Sequence, residues 1–167
     1  MNDFANAANP AASQAKPARK SPRRRAREFA LQGIYQWQVG KNDAAAIEAQ
    51  LADEADFDKT DQAFLHGLLR GVFAQHQSLQ QELQAHLDRP FHELSPVEAS
   101  ILLVGAFELT NDLPTPYRVI INEAIELTKG FGGTDGHKYV NGVLDKLAAK
   151  LRPAEVAAKQ AERRAAR

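Results

Sequence analysis

Cysteine is absent from the 167 residues of this chain. A sequence without thiols cannot form a disulfide framework, a thiolate metal site or a cysteine nucleophile. It also has no apolar run near the roughly 18–20 residues that span a bilayer, and no apolar signal core near its N-terminus. These absences lead us to expect a cytoplasmic protein with no membrane-spanning segment.

Net charge is also absent from the chain as a whole, because 21 Lys and Arg balance 21 Asp and Glu. The charges are unevenly distributed along the sequence. Residues 1–27 carry a net charge of +6, residues 28–145 carry −11 and residues 146–167 carry +5. Two basic ends on an acidic body indicate a polyanionic partner at the ends and a basic protein partner in the middle.

Strand-like alternation of apolar and polar residues is missing, whereas helical spacing recurs from residue 21 onward. Ser21-Pro22 and Ser95-Pro96 each combine a capping hydroxyl with proline at the first helical position. The segment after Ser95 is apolar on nearly every side through about Leu109, which predicts a buried helix. We therefore predict an all-α fold, a compact bundle of about six helices around that central helix.

Composition divides the chain into three parts. Residues 1–20 have too few large apolar side chains to offset the entropy of ordering, which predicts a disordered basic N-terminal extension. Residues 21–153 form the predicted helical domain. Residues 154–167 follow a proline and are rich in alanine and charge, which makes them helix-prone, but they lack a large apolar face, which predicts a frayed, charged tail.

Three helix ends are predicted from single residues. Gly40 is expected to take the left-handed conformation at the end of the first helix. Asp58 or Thr60 is expected to open the long helix that follows, and Thr134 or Asp135 to cap the last one.

Four arginines occupy the opening turns of the first predicted helix, at Arg23, Arg24, Arg25 and Arg27. Cations at this end oppose the helix dipole, each by about 0.3–1 kcal/mol before screening. Phosphates lying across the helix would explain them, because guanidinium and backbone N–H groups would bind the same anion. The alternative is a solvated basic helix end without a specific ligand. The clustering of arginine favours a polyanion.

A glycine-rich turn leads into the last predicted helix, between Gly132 and Gly142. Lys138, an aromatic ring at Tyr139 and an amide at Asn141 would suit a phosphate, a stacked base and a base edge of unpaired RNA. The glycine spacing differs from that of a nucleoside-triphosphate loop, so ATP or GTP is not indicated. For this motif alone, the commoner arrangement has the glycines forming the turn and the tyrosine in the core.

No pattern in the sequence indicates catalysis, a metal or another cofactor. The five histidines do not pair at i, i+4 on a helix face, and no His-Glu-x-x-His motif occurs. The acidic clusters are typical of a solvated face, and a Gly-x-Ser-x-Gly elbow is missing. We expect no catalytic residues and no cofactor.

Three stretches resemble the NusB family of bacterial transcription antitermination factors. The first is Arg23–Glu28 with Tyr35–Gln38, the second is Pro116–Lys129 and the third is His137–Lys146. With the helix after Ser95, the resemblance covers roughly residues 21–153, and the two terminal segments lie outside it.

The resemblance implies an all-helical RNA-binding protein that is not an enzyme. Proteins of this family bind the boxA element of nascent ribosomal RNA leader transcripts together with the small-subunit ribosomal protein NusE. The complex joins RNA polymerase and other Nus factors, suppresses termination and supports ribosomal RNA synthesis. A homodimer that masks the arginine face is left open.

The resemblance also implies residue roles. It places Tyr35 and Glu98 near the ribosomal protein. It places two segments on the RNA surface, namely the arginine-rich first helix (Arg23, Arg24, Arg25 and Arg27) and the start of the last helix (Asp135, His137, Lys138, Tyr139 and Asn141).

Two alternatives stay open at this point. One is a helical protein–protein adaptor, which would leave the arginine cluster unexplained. The other is a ribosomal-RNA-binding module without an antitermination role, similar to the N-terminal module of a ribosomal RNA cytosine methyltransferase. The chain has no S-adenosylmethionine-binding unit and no cysteine, so a complete methyltransferase is not expected.

Overall fold

The computed structural model describes residues 20–133 and 135–167, which fold entirely into helices and connecting turns. Seven α-helices are present, which confirms the all-α prediction and adds one helix to the expected number. They are α1 Pro22–Gly40, α2 Ala44–Ala52, α3 Gln62–Gln84, α4 Pro96–Asn111, α5 Tyr117–Phe131, α6 Gly136–Leu151 and α7 Pro153–Ala165, with 3-10 turns at Phe57–Lys59 and Phe91–Glu93. The predictions for residues 1–19 and for Thr134 lie outside the described residues.

Helix α4 is the centre of the bundle, as predicted. Ten of its 16 residues are buried, and it packs against α1, α3, α5 and α6. Ser95 caps α4 by accepting a hydrogen bond from the Glu98 amide at 3.1 Å. Ser21 caps α1 in the same way and accepts from the Arg24 amide at 3.0 Å. Within residues 20–133 and 135–167, no helix combines the length and the apolar content needed to cross a bilayer.

Two predicted helix ends are wrong by a few residues. Gly40 is the last residue of α1, and the left-handed conformation belongs to Lys41, with φ at 51°. Helix α3 is capped by Asp61, whose carboxylate accepts from an amide three residues further on at 3.0 Å. Asp58 and Thr60 precede this cap because a 3-10 turn occupies the chain there, which delays the start of α3.

The helix-prone C-terminal segment forms α7, which extends to Ala165 although none of its residues is buried. The reason is Arg152, only 5% exposed, at the junction of α6 and α7. Its guanidinium donates to backbone carbonyls at the end of α4 and in the turn after it, at Glu108, Leu109, Asp112 and Thr115. These carbonyls include ones that no intrahelical N–H satisfies. Glu155, in the first turn of α7, contacts the same guanidinium at 3.2 Å and accepts from the Tyr117 amide at 2.7 Å.

Candidate nucleic-acid and partner interfaces

The four arginines at the start of α1 are divided between the core and the surface. The side chain of Arg27 is only 5% exposed, whereas Arg25 is 23%, Arg24 40% and Arg23 51% exposed. The difference follows from helical geometry, because Arg27 is on the face of α1 that also buries Ala26 and Ala30. Three of the four predicted phosphate contacts are therefore on a surface that an anion can reach.

Arg27 is bound to Glu108 of α4 inside the bundle. Its Nε and Nη2 atoms donate to both carboxylate oxygens of Glu108 at 2.8–3.2 Å. Burial raises the pKa of Glu108 above its ordinary value, and the hydrogen bond from Arg27 acts in the opposite direction. The prediction that Arg27 contacts phosphate does not fit this position, because its guanidinium is committed to the core. The sequence did contain one signal for a buried cation. Glu108 is a carboxylate in an otherwise apolar stretch of α4, and a buried carboxylate needs a positively charged partner.

Arg24 is paired at the surface with Glu123 of α5. Its Nε and Nη2 atoms donate to the two carboxylate oxygens at 3.1 and 3.0 Å. This contact raises the pKa of Arg24, as do the nearby charges of Glu126 and Glu28. Glu123 also lies 3.9 Å from Nη1 of Arg27. A single carboxylate of α5 therefore faces both the exposed and the buried arginine.

Arg23 and Arg25 make weaker contacts. Arg23 lies 3.7 Å from a carboxylate oxygen of Asp61, and its guanidinium carbon is 4.5 Å from the ring centroid of Phe64. Arg25 lies 3.7 Å from Asp56. Carboxylates of the protein itself thus compensate cations that oppose the dipole of α1. The placement of these arginines is explained in part without RNA, and an incoming phosphate has to compete with these acids.

A cleft of about 420 Å³ runs along α1 and α5 from the arginine cluster. Lys20, Arg24 and Glu28 form its α1 side, and Glu123 and Lys129 are among the residues of its α5 side. Charges of both signs alternate along this cleft. It connects the arginine end of α1 with the C-terminal end of α5.

The start of α6 presents a second group of the predicted residues. Asp135 and Lys138 are 82% and 74% exposed, lie 3.7 Å apart, and Asp135 makes no capping hydrogen bond with its side chain. His137 and Asn141 are half-buried, and Oδ1 of Asn141 has no hydrogen-bond partner among the described residues. Asp135 occupies the N-cap position of α6, as predicted. The prediction is wrong about its side chain, which makes no capping hydrogen bond.

Tyr139 lies at the edge of this group rather than in the core. Its hydroxyl donates to Oδ1 of Asp88 at 2.9 Å, and the guanidinium carbon of Arg89 lies 5.5 Å from the ring centroid. Burial and the bond to Asp88 raise the pKa of Tyr139. The pKa of Asp88 is lowered, first by Arg89 and then by Tyr139. Asp88 and Arg89 follow α3 and were not predicted as part of the site.

The arginine cluster and the start of α6 are not in contact. Arg27 binds Glu108 near the C-terminal end of α4, whereas Gly136 of α6 lies against Glu98 in the first turn of α4. Ten residues of α-helix separate the two glutamates, about 15 Å along the axis. A ligand that touches both segments must span this distance.

One of the two predicted partner residues, Tyr35, lines an apolar groove. A groove of about 340 Å³ is lined by Tyr35, Val97 and Phe131, with Leu31 beneath them. Tyr35 is 39% and Phe131 46% exposed, so two aromatic rings are open to solvent here. Glu98 follows Val97 in the chain. Phe131 was missed by sequence reasoning, although a large apolar residue between glycines at a helix end was visible.

Comparison with known proteins identifies the family. The family model described as NusB family matches residues 24–149. The chain belongs to the NusB family. It is similar to the transcription antitermination protein NusB of Dechloromonas aromatica (strain RCB), with 64% identity over 141 residues that cover 84% of this chain and 86% of the relative. The same-named protein of Nitrosospira multiformis is 62% identical over 133 residues, 80% of this chain and 84% of the relative.

Solved structures of NusB have the same fold. A structure of T. maritima NusB superposes on this chain with a TM-score of 0.72. The two are 25% identical, and the superposition covers 83% of this chain and 99% of that chain. A crystal structure of antitermination factors NusB and NusE in complex with dsRNA superposes with a TM-score of 0.69 at 21% identity, over 77% of this chain and 97% of that chain. The resemblance seen in the sequence is thus confirmed for family and fold.

The buried Arg27–Glu108 pair generates a prediction about stability. Arg27→Met leaves an uncompensated carboxylate in the core and should lower the free energy of unfolding by about 3–5 kcal/mol. The double variant with Glu108→Leu should recover most of this loss, because apolar side chains replace both charges. As the control, Arg24→Met should cost less than about 1 kcal/mol, since Arg24 is paired at the surface. Urea denaturation measures all three, and an equally mild effect of Arg27→Met would contradict the burial.

Proposed function

We propose that this NusB-family protein is a transcription antitermination factor that binds the boxA element of ribosomal RNA leader transcripts together with NusE. The observation that carries the proposal is the 64% identity, over 84% of the chain, to a protein named transcription antitermination protein NusB. The chain acts by binding rather than by catalysis, and it works in the cytoplasm. RNA polymerase and other Nus factors join the assembly, and a homodimer would compete with RNA where it covers the arginines.

RNA binding is supported by the surface arginines and by the start of α6. Arg23, Arg24 and Arg25 present cations that phosphates can reach, and Tyr139 presents a half-buried ring beside Lys138. Asp135, His137 and Asn141 belong to the same end of α6. Phosphates exchange with Glu123, Asp61 and Asp56 for the arginines, so binding replaces existing ion pairs as well as releasing counterions.

The experiment is the electrophoretic mobility of a short single-stranded leader RNA containing boxA, measured with and without NusE across ionic strength. The protein should retard the RNA, and NusE should lower the protein concentration required. Linkage requires that RNA raise the affinity for NusE by the same factor. A protein that binds NusE but no RNA would support the adaptor alternative. RNA binding that NusE leaves unchanged would support an RNA-binding module without an antitermination role.

The surface arginines can be tested through the salt dependence of RNA binding. Arg23→Ala, Arg24→Ala and Arg25→Ala combined should reduce the slope of log affinity against log salt by about 2, since each lost phosphate contact removes about 0.7. A control that replaces Arg163 and Arg164 of α7, and Arg167 after it, by Ala removes the same charge outside the matched region 24–149. Equal flattening in both triple variants would show a nonspecific charge effect and contradict the arginine site.

NusE binding is supported by the apolar groove of Tyr35, Val97 and Phe131 and by the acidic body of the chain. Exposed aromatic side chains beside a hydrophobic floor are common centres of protein interfaces. The net charge of −11 over residues 28–145 would attract a basic ribosomal protein and raise its association rate. Glu98, in the first turn of α4 directly after Val97, would supply a carboxylate for a cationic side chain of the partner.

Tyr35→Ala tests this groove. Truncation of an aromatic at the centre of an interface costs about 2 kcal/mol or more, so calorimetry should show NusE affinity falling by about thirtyfold. Val39→Ala, on the same helix, removes another exposed apolar side chain that does not line the groove. That control should keep the affinity of the unmodified protein. Equal losses in the two variants, or no loss in either, would exclude the groove as the centre of the interface.

A further inference from the structure

A second groove, of about 390 Å³, lies between the end of α3 and the outer face of α6. Tyr139 forms one end, and residues from Lys138 to Lys146 form the α6 wall. The opposite wall contains His86 and Asp88. The groove leads along α6 in the direction of its C-terminus, whereas the arginine cluster lies beyond the other side of α4. The predictions for RNA and NusE contacts use its Tyr139 end alone.

The α6 wall carries cations at a regular spacing. Lys138, Gly142, Lys146 and Lys150 are four residues apart, so they form one stripe with steps of about 6 Å. Lys146 has no ion-pair partner among the residues that the structure describes, and Lys150 lies 3.0 Å from Glu82 of α3. At Gly142 a Cβ atom would meet no heavy atom within 4 Å. A ligand can therefore approach the backbone of α6 between two lysines.

The other groups in the groove suit the same ligand. The carboxylate of Asp88 is occupied by Arg89 at 2.9 Å and by the Tyr139 hydroxyl. Burial and the neighbouring Lys150 and Lys146 lower the pKa of His86, while Glu82 opposes this, so its imidazole is neutral at pH 7. Its Nε2 atom is buried without a hydrogen-bond partner among the described residues. Since this nitrogen is buried, the His86 ring serves the groove as an uncharged wall rather than as a hydrogen-bonding group.

We propose that the α3–α6 groove binds single-stranded RNA, as a track that continues from Tyr139 past Gly142 to Lys146 and Lys150. This inference rests on the proposed RNA-binding function and extends its surface. Spaced cations along a groove, with an aromatic ring at one end and an open backbone position between them, are how proteins bind single strands with little sequence preference. An acidic protein segment would use the lysines but would leave the aromatic ring of Tyr139 unused.

The test compares two lengths of RNA on two pairs of variants. The probes are a single-stranded boxA RNA that only covers the core element and versions extended by six nucleotides at either end. For the unmodified protein, one extension should raise the affinity about fivefold and steepen the salt dependence. Lys146→Ala with Lys150→Ala should abolish this gain and leave the core RNA unaffected. Lys41→Ala with Lys159→Ala removes equal charge outside the groove and should keep the gain.

A steric variant keeps the test independent of charge. Gly142→Gln fills the open position, and replacing a helix-interior glycine improves helix propensity, so the fold should be retained. It should also remove the gain from the extended RNA. If neither extension raises the affinity, or if the gain survives both variants, the track is wrong. If the unmodified protein binds none of the RNAs, the proposed function itself fails, which is a different result.

Discussion

The buried ion pair between Arg27 and Glu108 is the interaction on which the arrangement of the surface depends. It joins α1 to the central helix α4 with charge-assisted hydrogen bonds in a site from which water is excluded. Because both charges are out of water, neither can be lost without stranding the other. The pair therefore fixes the rotation of α1 about its axis. That rotation turns Arg23, Arg24 and Arg25 outward, which is the condition for any contact between this helix and RNA.

Around this pair, the protein supplies its own counterions for the exposed arginines. Glu123 is the clearest case, since it bonds Arg24 and also faces Arg27. In the free protein these carboxylates offset the unfavourable cations at the start of α1. In a complex with RNA they become competitors of the phosphates. The net affinity is then a difference between two sets of ion pairs, which makes it sensitive to salt and to the number of carboxylates near the strand.

Much of the fold could be predicted because local and global signals agree. Ser21 and Ser95 cap helices in the structure as their sequence positions indicate, and the apolar α4 is central. The anchoring of the C-terminal helix could not be predicted, because it depends on Arg152 binding carbonyl groups that are about 40 residues away in the chain. A cation that is buried by tertiary contacts looks the same in a sequence as one in solvent.

The candidate site was also only partly predictable, because the sequence does not show which charged side chains tertiary contacts bury. The basic cluster and Tyr139 were visible as residue types. The burial of Arg27 was missed, although its helical spacing from Ala30 puts it on the buried face of α1, because the carboxylate that compensates it is 81 residues away in the chain. Asp88 and Arg89 reach Tyr139 from the turn after α3, so no spacing in the sequence connects them. Tyr35 and Glu98 came from the resemblance to the family. The groove that Tyr35 lines, with Phe131 as its other aromatic wall, is visible only once α1, α4 and α5 are packed.

The central claim is that Arg27 serves the fold while Arg23, Arg24 and Arg25 serve the ligand. The most direct measurement is NMR of the arginine Nε–Hε groups during titration with single-stranded boxA RNA. The account predicts that the signals of the three surface arginines shift, whereas the Arg27 signal stays in place and its proton exchanges slowly with solvent. A shift of the Arg27 signal as large as those of its neighbours, with rapid proton exchange before RNA is added, would contradict the account.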